Sequence, residues 1–150
     1  MDKASYMSMR DVQKSLIGKG IKYPSMINSR TGDIAVVEDI DLINQSIHAI
    51  LSTRKGERFM MPEFGTEIHK YLFNPNIFIL QDLVTTEIKD CLGRWEQRIA
   101  IRNITYEQYE STLEATITYN IRNTSMTGSY VYPINTSRYD MESSANTLYE

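Results

Sequence analysis

The chain has a single cysteine among its 150 residues. Cys91 can form no intramolecular disulfide, and a thiol-rich metal site is excluded, which fits a reducing cytoplasm. Histidine is equally scarce. His48 and His69 are the two imidazoles, with no HExxH pattern, so they make a poor start for a metal centre. No apolar run approaches the roughly 18 residues needed to cross a bilayer. The first residues, MDKASYMSMRDVQKSL, lack the apolar core of a signal peptide. No serine stands in a GxSxG elbow. Gly18-Lys19-Gly20 lacks the spacing and the closing Lys-Ser/Thr of a phosphate loop. Charge of one sign is not in excess either: a formal −3 gives no general attraction to nucleic acid or to an anionic membrane. No cofactor, no metal and no catalytic residue is expected from these absences.

What is present is enough apolar residue, 41%, for one ordinary soluble domain. Residues 1–27 read as a polar N-terminal arm, either a short helix over Met9–Ile17 or a segment that orders against a partner. IKYPSMINSRTGDIAVV reads as extended chain broken by Pro24 and by a turn at Arg30–Asp33. Ile40, Ile43, Ile47, Ile50 and Leu51 then recur at helical spacing. Asp39 or Asp41 is the expected cap, and Asn44, Gln45 and His48 fall mostly on the opposite face. A second helix, capped by Asn76, carries Leu80, Leu83 or Val84, Ile88, Cys91, Leu92 and Trp95 on one stripe.

From Arg98 the period changes from helical to two. Ile99 and Ile101 alternate, then Ile104 and Tyr106 continue in the opposite phase, which places a bulge near Asn103. Leu113, Ala115, Ile117, Tyr119 and Ile121 share one face of the next strand. A turn at NTSMTG and a strand at SYVYPI follow, with Pro133 marking a strand end or a sheet edge. The fold class is α+β: two main helices packed on a small antiparallel β-meander, preceded by an extended N-terminal segment. Residues 28–134 form the domain and 135–150 a polar C-terminal tail.

Two stretches do not read as ordinary surface. TRKGERFMMPEFG, Thr53–Gly65, is punctuated by Gly56, Pro62 and Gly65 between the helices. Its Glu57 and Glu63 could suggest the carboxylate pair of a glycoside hydrolase. Each, however, has basic neighbours and no readable apolar pocket, a poor setting for a general acid. RWEQRI, Arg94–Ile99, lies where helix becomes strand. Trp95 is the expected core anchor. Glu96 and Arg98, two apart in extended chain, project to the same side. They could form a solvated ion pair worth about 0–1 kcal/mol, or meet complementary charges on a partner.

Taken in order, INQSIHAILSTRKGERFMMPEFG, then WEQRI, then a meander resembles the baseplate wedge and sheath-initiator family of contractile tails. That family occurs in phages, tailocins and type VI secretion systems, and carries an old "lysozyme-like" label. Thr53, Gly56, Glu57, Arg58, Pro62, Glu63, Phe64 and Gly65 match its T-x-x-G-E/S-R and P-E-F-G segments. Trp95, Glu96, Arg98 and Ile99 match its W/Y-E-P-R-I junction, and Gln97 stands where the family has proline. Without that fixed φ, the junction must be held by Trp95 and the neighbouring strand.

The resemblance implies a structural virion protein of the baseplate, assembled in the host cytoplasm, that templates the first sheath ring by strand addition. Its implied partners are baseplate wedge and core-bundle proteins and the tail sheath subunit, with the tail tube as a further neighbour and neither nucleic acid nor membrane. Glu96, Arg98, Glu57 and Arg58 are the implied partner-binding residues; Gly56, Pro62, Phe64, Gly65 and Trp95 are structural. Phe59, Met61 and Phe64 are expected to fill the space under the sheet. The alternative is a small muralytic hydrolase using Glu57 and Glu63.

Overall fold

The isoleucine spacing of the first helix is realised in a computed structural model that describes residues 17–23, 27, 32–72, 76–109 and 112–135. The expected helix at Met9–Ile17, apart from buried Ile17, and the C-terminal tail beyond Asn135 lie outside the described residues. Helix α1 spans Asp39–Ser52, and Ile43, Ile47, Ile50 and Leu51 are its buried residues. Each such side chain, fully removed from water, contributes about 1.5–3 kcal/mol. Neither Asp39 nor Asp41 caps it. Glu38 holds the N-cap position without a side-chain bond, and Asp39 adopts a left-handed φ of 60°. Ahead of α1, strands β1 (Lys19–Ile21) and β2 (Val36–Glu38) pair antiparallel. The extended segment is therefore a hairpin in which β1 reaches back from the arm. Gln45 of α1 anchors it, its amide donating to the Ile21 carbonyl and accepting from the Tyr23 N–H.

After a single helical turn, α2 (Ile68–Tyr71), comes the long α3 (Ile77–Trp95). Asn76 caps α3 by accepting from the N–H groups of Phe78 and Ile79, a bond set worth about 1 kcal/mol. Leu80, Val84, Ile88, Cys91 and Leu92 are buried, while Leu83 faces solvent. Helical order carries through Gly93 to Trp95.

Strands β3 (Ile99–Tyr109), β4 (Thr112–Ile121) and β5 (Thr127–Asn135) form an antiparallel sheet in the order β3-β4-β5. The register shifts between Ile101 and Asn103, where the phase change placed the bulge. Leu113, Ala115, Ile117, Tyr119 and Ile121 of β4 are all buried against the helices. Pro133 lies within β5, opposite Glu114, at the edge of the sheet.

Four tyrosines on the inner face tie this sheet to the helices. Tyr119 donates to Asn44 Oδ1 at 2.7 Å, Tyr132 donates to the Leu51 carbonyl at 3.0 Å, Tyr130 shares a 2.7 Å bond with His48 Nδ1, and Tyr106 shares one with Thr85. A phenol covers apolar area with its ring and satisfies its hydroxyl at the far end. Asn44 and His48 thus serve the sheet: on the flank of α1 that looks polar in sequence, half-buried Asn44 and exposed His48 each bond a tyrosine hydroxyl.

Burial also sets an alkaline limit. It pushes the Cys91 thiol from 9.0 up to about 12, and the Tyr119 phenol from 10.0 up to about 12. The folded chain holds both protons more tightly than the unfolded chain. This part of the stability is complete below about pH 9 and is lost as the pH rises toward 12. Urea midpoints measured between about pH 8 and pH 11 should therefore fall steadily; a flat profile would show that neither group is sequestered.

Candidate functional site: the corner and the junction

The corner closes on itself through its backbone. Thr66 N–H donates to the Thr53 carbonyl at 2.9 Å, Lys55 N–H to the Thr66 carbonyl at 3.2 Å, and Gly56 N–H to the Pro62 carbonyl at 2.8 Å. Arg54 and Thr66 form a parallel bridge. Gly56 and Gly65 take φ of 86° and 103°, a region that glycine enters without a Cβ penalty. Glu57 caps the inner turn by accepting from the Arg54 N–H at 2.9 Å. Thr53 and Pro62 thus contribute a hydrogen-bonding carbonyl each.

A residue not singled out from the sequence fastens this loop to α3. Glu87 is 9% exposed, and its Oε1 accepts from Lys55 Nζ and from the Glu67 N–H, both at 2.9 Å. That hydrogen bond holds the Lys55 pKa above its ordinary value. The clue was available: Glu87 sits between Val84 and Cys91 on the apolar stripe, where a lone carboxylate needs a donor.

Phe64 and Trp95 join the two sequence motifs physically. Their rings meet edge to face at 5.2 Å, and the Arg58 guanidinium lies 4.4 Å above the Phe64 ring. Phe59 and Met61, by contrast, do not fill space under the sheet. Phe59 is 95% exposed, Met60 85% and Met61 40%. The Gly56–Pro62 closure turns them out at the loop tip, and the inner-face tyrosines of the sheet are already packed against the helices.

At the junction, Glu96 is 4% exposed. Arg98 donates to it through Nε (2.7 Å, to Oε1) and Nη2, an arrangement that grips both carboxylate oxygens. Arg98 also donates through Nη2 to Ser46 and through Nη1 to the Ile17 carbonyl. The pair is therefore not a solvated one: it ties the junction to α1 and to the N-terminal segment. Hydrogen bonding to Glu96 holds the Arg98 pKa above its usual value. Beside the pair lies a cleft of about 250 Å³ lined by Gln97, Arg98, Arg122 and Asn123 among others.

The family described as Baseplate wedge protein gp25 matches residues 37–126. The chain belongs to that family. The match takes in both motifs, the two long helices and the first two strands of the meander. The wedge-family assignment makes the chain a structural component of a contractile-tail baseplate. A Geobacter sulfurreducens protein, described provisionally as a tail lysozyme, is 35% identical over 63% of this chain and 88% of its own, with a TM-score of 0.59. A chain of the anti-feeding prophage baseplate has the same fold, with a TM-score of 0.61 over 90% of this chain and 98% of that one at 17% identity. No curated protein sequence matches the chain.

As acid–base machinery the corner is poorly arranged. Glu57 is engaged with backbone, and Glu63 lies exposed at 3.6 Å from Arg94. Among the described residues no group of histidine, cysteine or carboxylate side chains is placed to hold a metal.

Proposed function

We propose that this wedge-family protein docks on neighbouring wedge and core-bundle proteins through the junction and the corner, and starts the sheath by offering a sheet edge to the first ring of sheath subunits. The observation that carries the reading is the three-stranded order β3-β4-β5, which among the described residues leaves an unpaired edge on each side. Partner contact at the junction would use the outer rim of Arg98 with Gln97 and Arg122 around the cleft, since the Glu96 oxygens are occupied. Glu57 and Arg58 would face partners from the corner. The tail tube is a further neighbour in this reading, and assembly takes place in the host cytoplasm.

The hydrogen-bond phase identifies which groups each edge offers. Ile121 N–H donates to the Met126 carbonyl, and Arg122 N–H to the Arg98 carbonyl. Alternation along antiparallel pairs then turns Thr127, Ser129, Val131 and Pro133 of β5 outward, and Ile104, Tyr106 and Gln108 of β3. Pro133 supplies no donor, so the β5 row is interrupted. The β3 row beyond the bulge is continuous.

Gln108→Pro and Ser129→Pro each remove one outward donor and leave the bonds to β4 in place. Particles assembled with each variant should show sheath failure for the edge that accepts the added strand, while the variant chain stays folded. Normal sheaths from both would overturn the reading. The competing muralytic reading rests on the description of the Geobacter relative, with Glu57 and Glu63 as its candidate carboxylates. Purified protein is expected to leave the turbidity of a peptidoglycan suspension unchanged; clearing that is lost in Glu57→Gln would establish the hydrolase instead.

A further inference from the structure

The tip of the corner carries a chemistry that neither the sheet edge nor the junction employs. Phe59 and Met60 stand side by side, almost wholly exposed. Their frame is fixed by bonds from Gly56 N–H to the Pro62 carbonyl, Glu57 N–H to the Arg54 carbonyl, and Met61 N–H to the Arg58 carbonyl. With the backbone beneath them already fixed, covering the two side chains costs their rotamer freedom but little further backbone freedom, which favours their use as an anchor.

Their surroundings are electrically lopsided. Glu57 accepts from the Arg54 N–H, Glu63 faces Arg94, and Glu67 pairs with Lys70. Among the described residues, no carboxylate pairs with the guanidinium of Arg54 or Arg58. Glu57, bonded only to a backbone N–H, offsets one of these two cations, and the remaining positive charge beside an exposed apolar knuckle fits an apolar surface with a carboxylate at its rim.

We propose that Phe59 and Met60 seat in an acid-rimmed apolar pocket on another baseplate protein, an inference that rests on the baseplate reading above. A second copy of this chain fits less well, because its junction cleft is lined by Arg98 and Arg122 and would repel Arg54 and Arg58. An anionic membrane fits less well too, because a membrane surface meets the whole chain, whose formal charge is −3, whereas a pocket meets only the tip.

The test uses the full chain carrying Phe59→Ser with Met60→Ser, and separately Arg54→Glu, in particles made without the wild-type copy. Both variants should keep the wild-type unfolding midpoint, since the altered groups are exposed. Incorporation into particles should fall about 10- to 100-fold, the size expected on removing an interface anchor. Should the double variant unfold, Met60→Ser alone carries the test. Normal incorporation of the serine variant overturns the proposal. So does wild-type binding to phosphatidylglycerol vesicles, or wild-type self-association in sedimentation velocity, if the serine variant loses it. Gln108→Pro and Ser129→Pro run in parallel: if one of them blocks sheath while the serine variant assembles normally, the knuckle fails and the sheath reading stands. If the proline variants also assemble normally, the sheath reading itself has failed.

Discussion

Gly65→Ala is expected to destabilise the chain by about 3–5 kcal/mol, combining left-handed strain with a backbone overlap. The φ of 103° is one that L side chains rarely adopt. A methyl group built there overlaps the Thr53 carbonyl oxygen and stands 2.8 Å from its carbon. That oxygen accepts from the Thr66 N–H, so it cannot withdraw without opening the corner. Gly56→Ala provides the control. Its φ is also positive, at 86°, but nothing lies within 4 Å of the added methyl, so only the strain of about 1–2 kcal/mol remains. Urea denaturation of the two variants side by side checks the difference. Equal losses would mean that the Thr53 contact is not confining.

Glu96→Ala is expected to cost about 2–3 kcal/mol, less than for a fully buried pair, because the stranded Arg98 side chain is 36% exposed. Arg98 would lose two of its side-chain bonds, keeping those to Ser46 and to the Ile17 carbonyl. Arg98→Ala should cost more, about 3–5 kcal/mol, because it strands the buried Glu96 carboxylate, and the double variant much less than the sum of the two. Denaturation midpoints of the three variants give the coupling directly. Additive losses would show that the two side chains act independently. Charge reversal at this pair consequently disturbs the fold as well as any docking, and an assembly defect in such a variant needs a folding control.

How much of this could be read from the sequence depended on period. The stripe from Ile43 to Leu51 and the alternation from Leu113 to Ile121 each repeat one geometry often enough to fix both element and buried face. The phase slip between Ile101 and Ile104 was enough to place the bulge. Phe59 and Met61 misled because hydrophobicity says what a side chain avoids, not which way a closed loop turns it. Here the bond from Gly56 N–H to the Pro62 carbonyl decides that direction. Glu87 was not legible as a fastener because its partners, Lys55 and the Glu67 N–H, come from a distant part of the chain. The tyrosine ties escaped for the same reason. Each needs the sheet and a helix brought together before a phenol and its partner can meet.

Trp95 is the chain's one tryptophan. It ends the long helix, touches Phe64 of the corner, and precedes Glu96, which holds Arg98. An indole at that spot gives the protein a built-in optical gauge. Its emission reports on the joint between helix, loop and strand, so loosening of the corner or seating of a neighbour can be followed by fluorescence without attaching a dye.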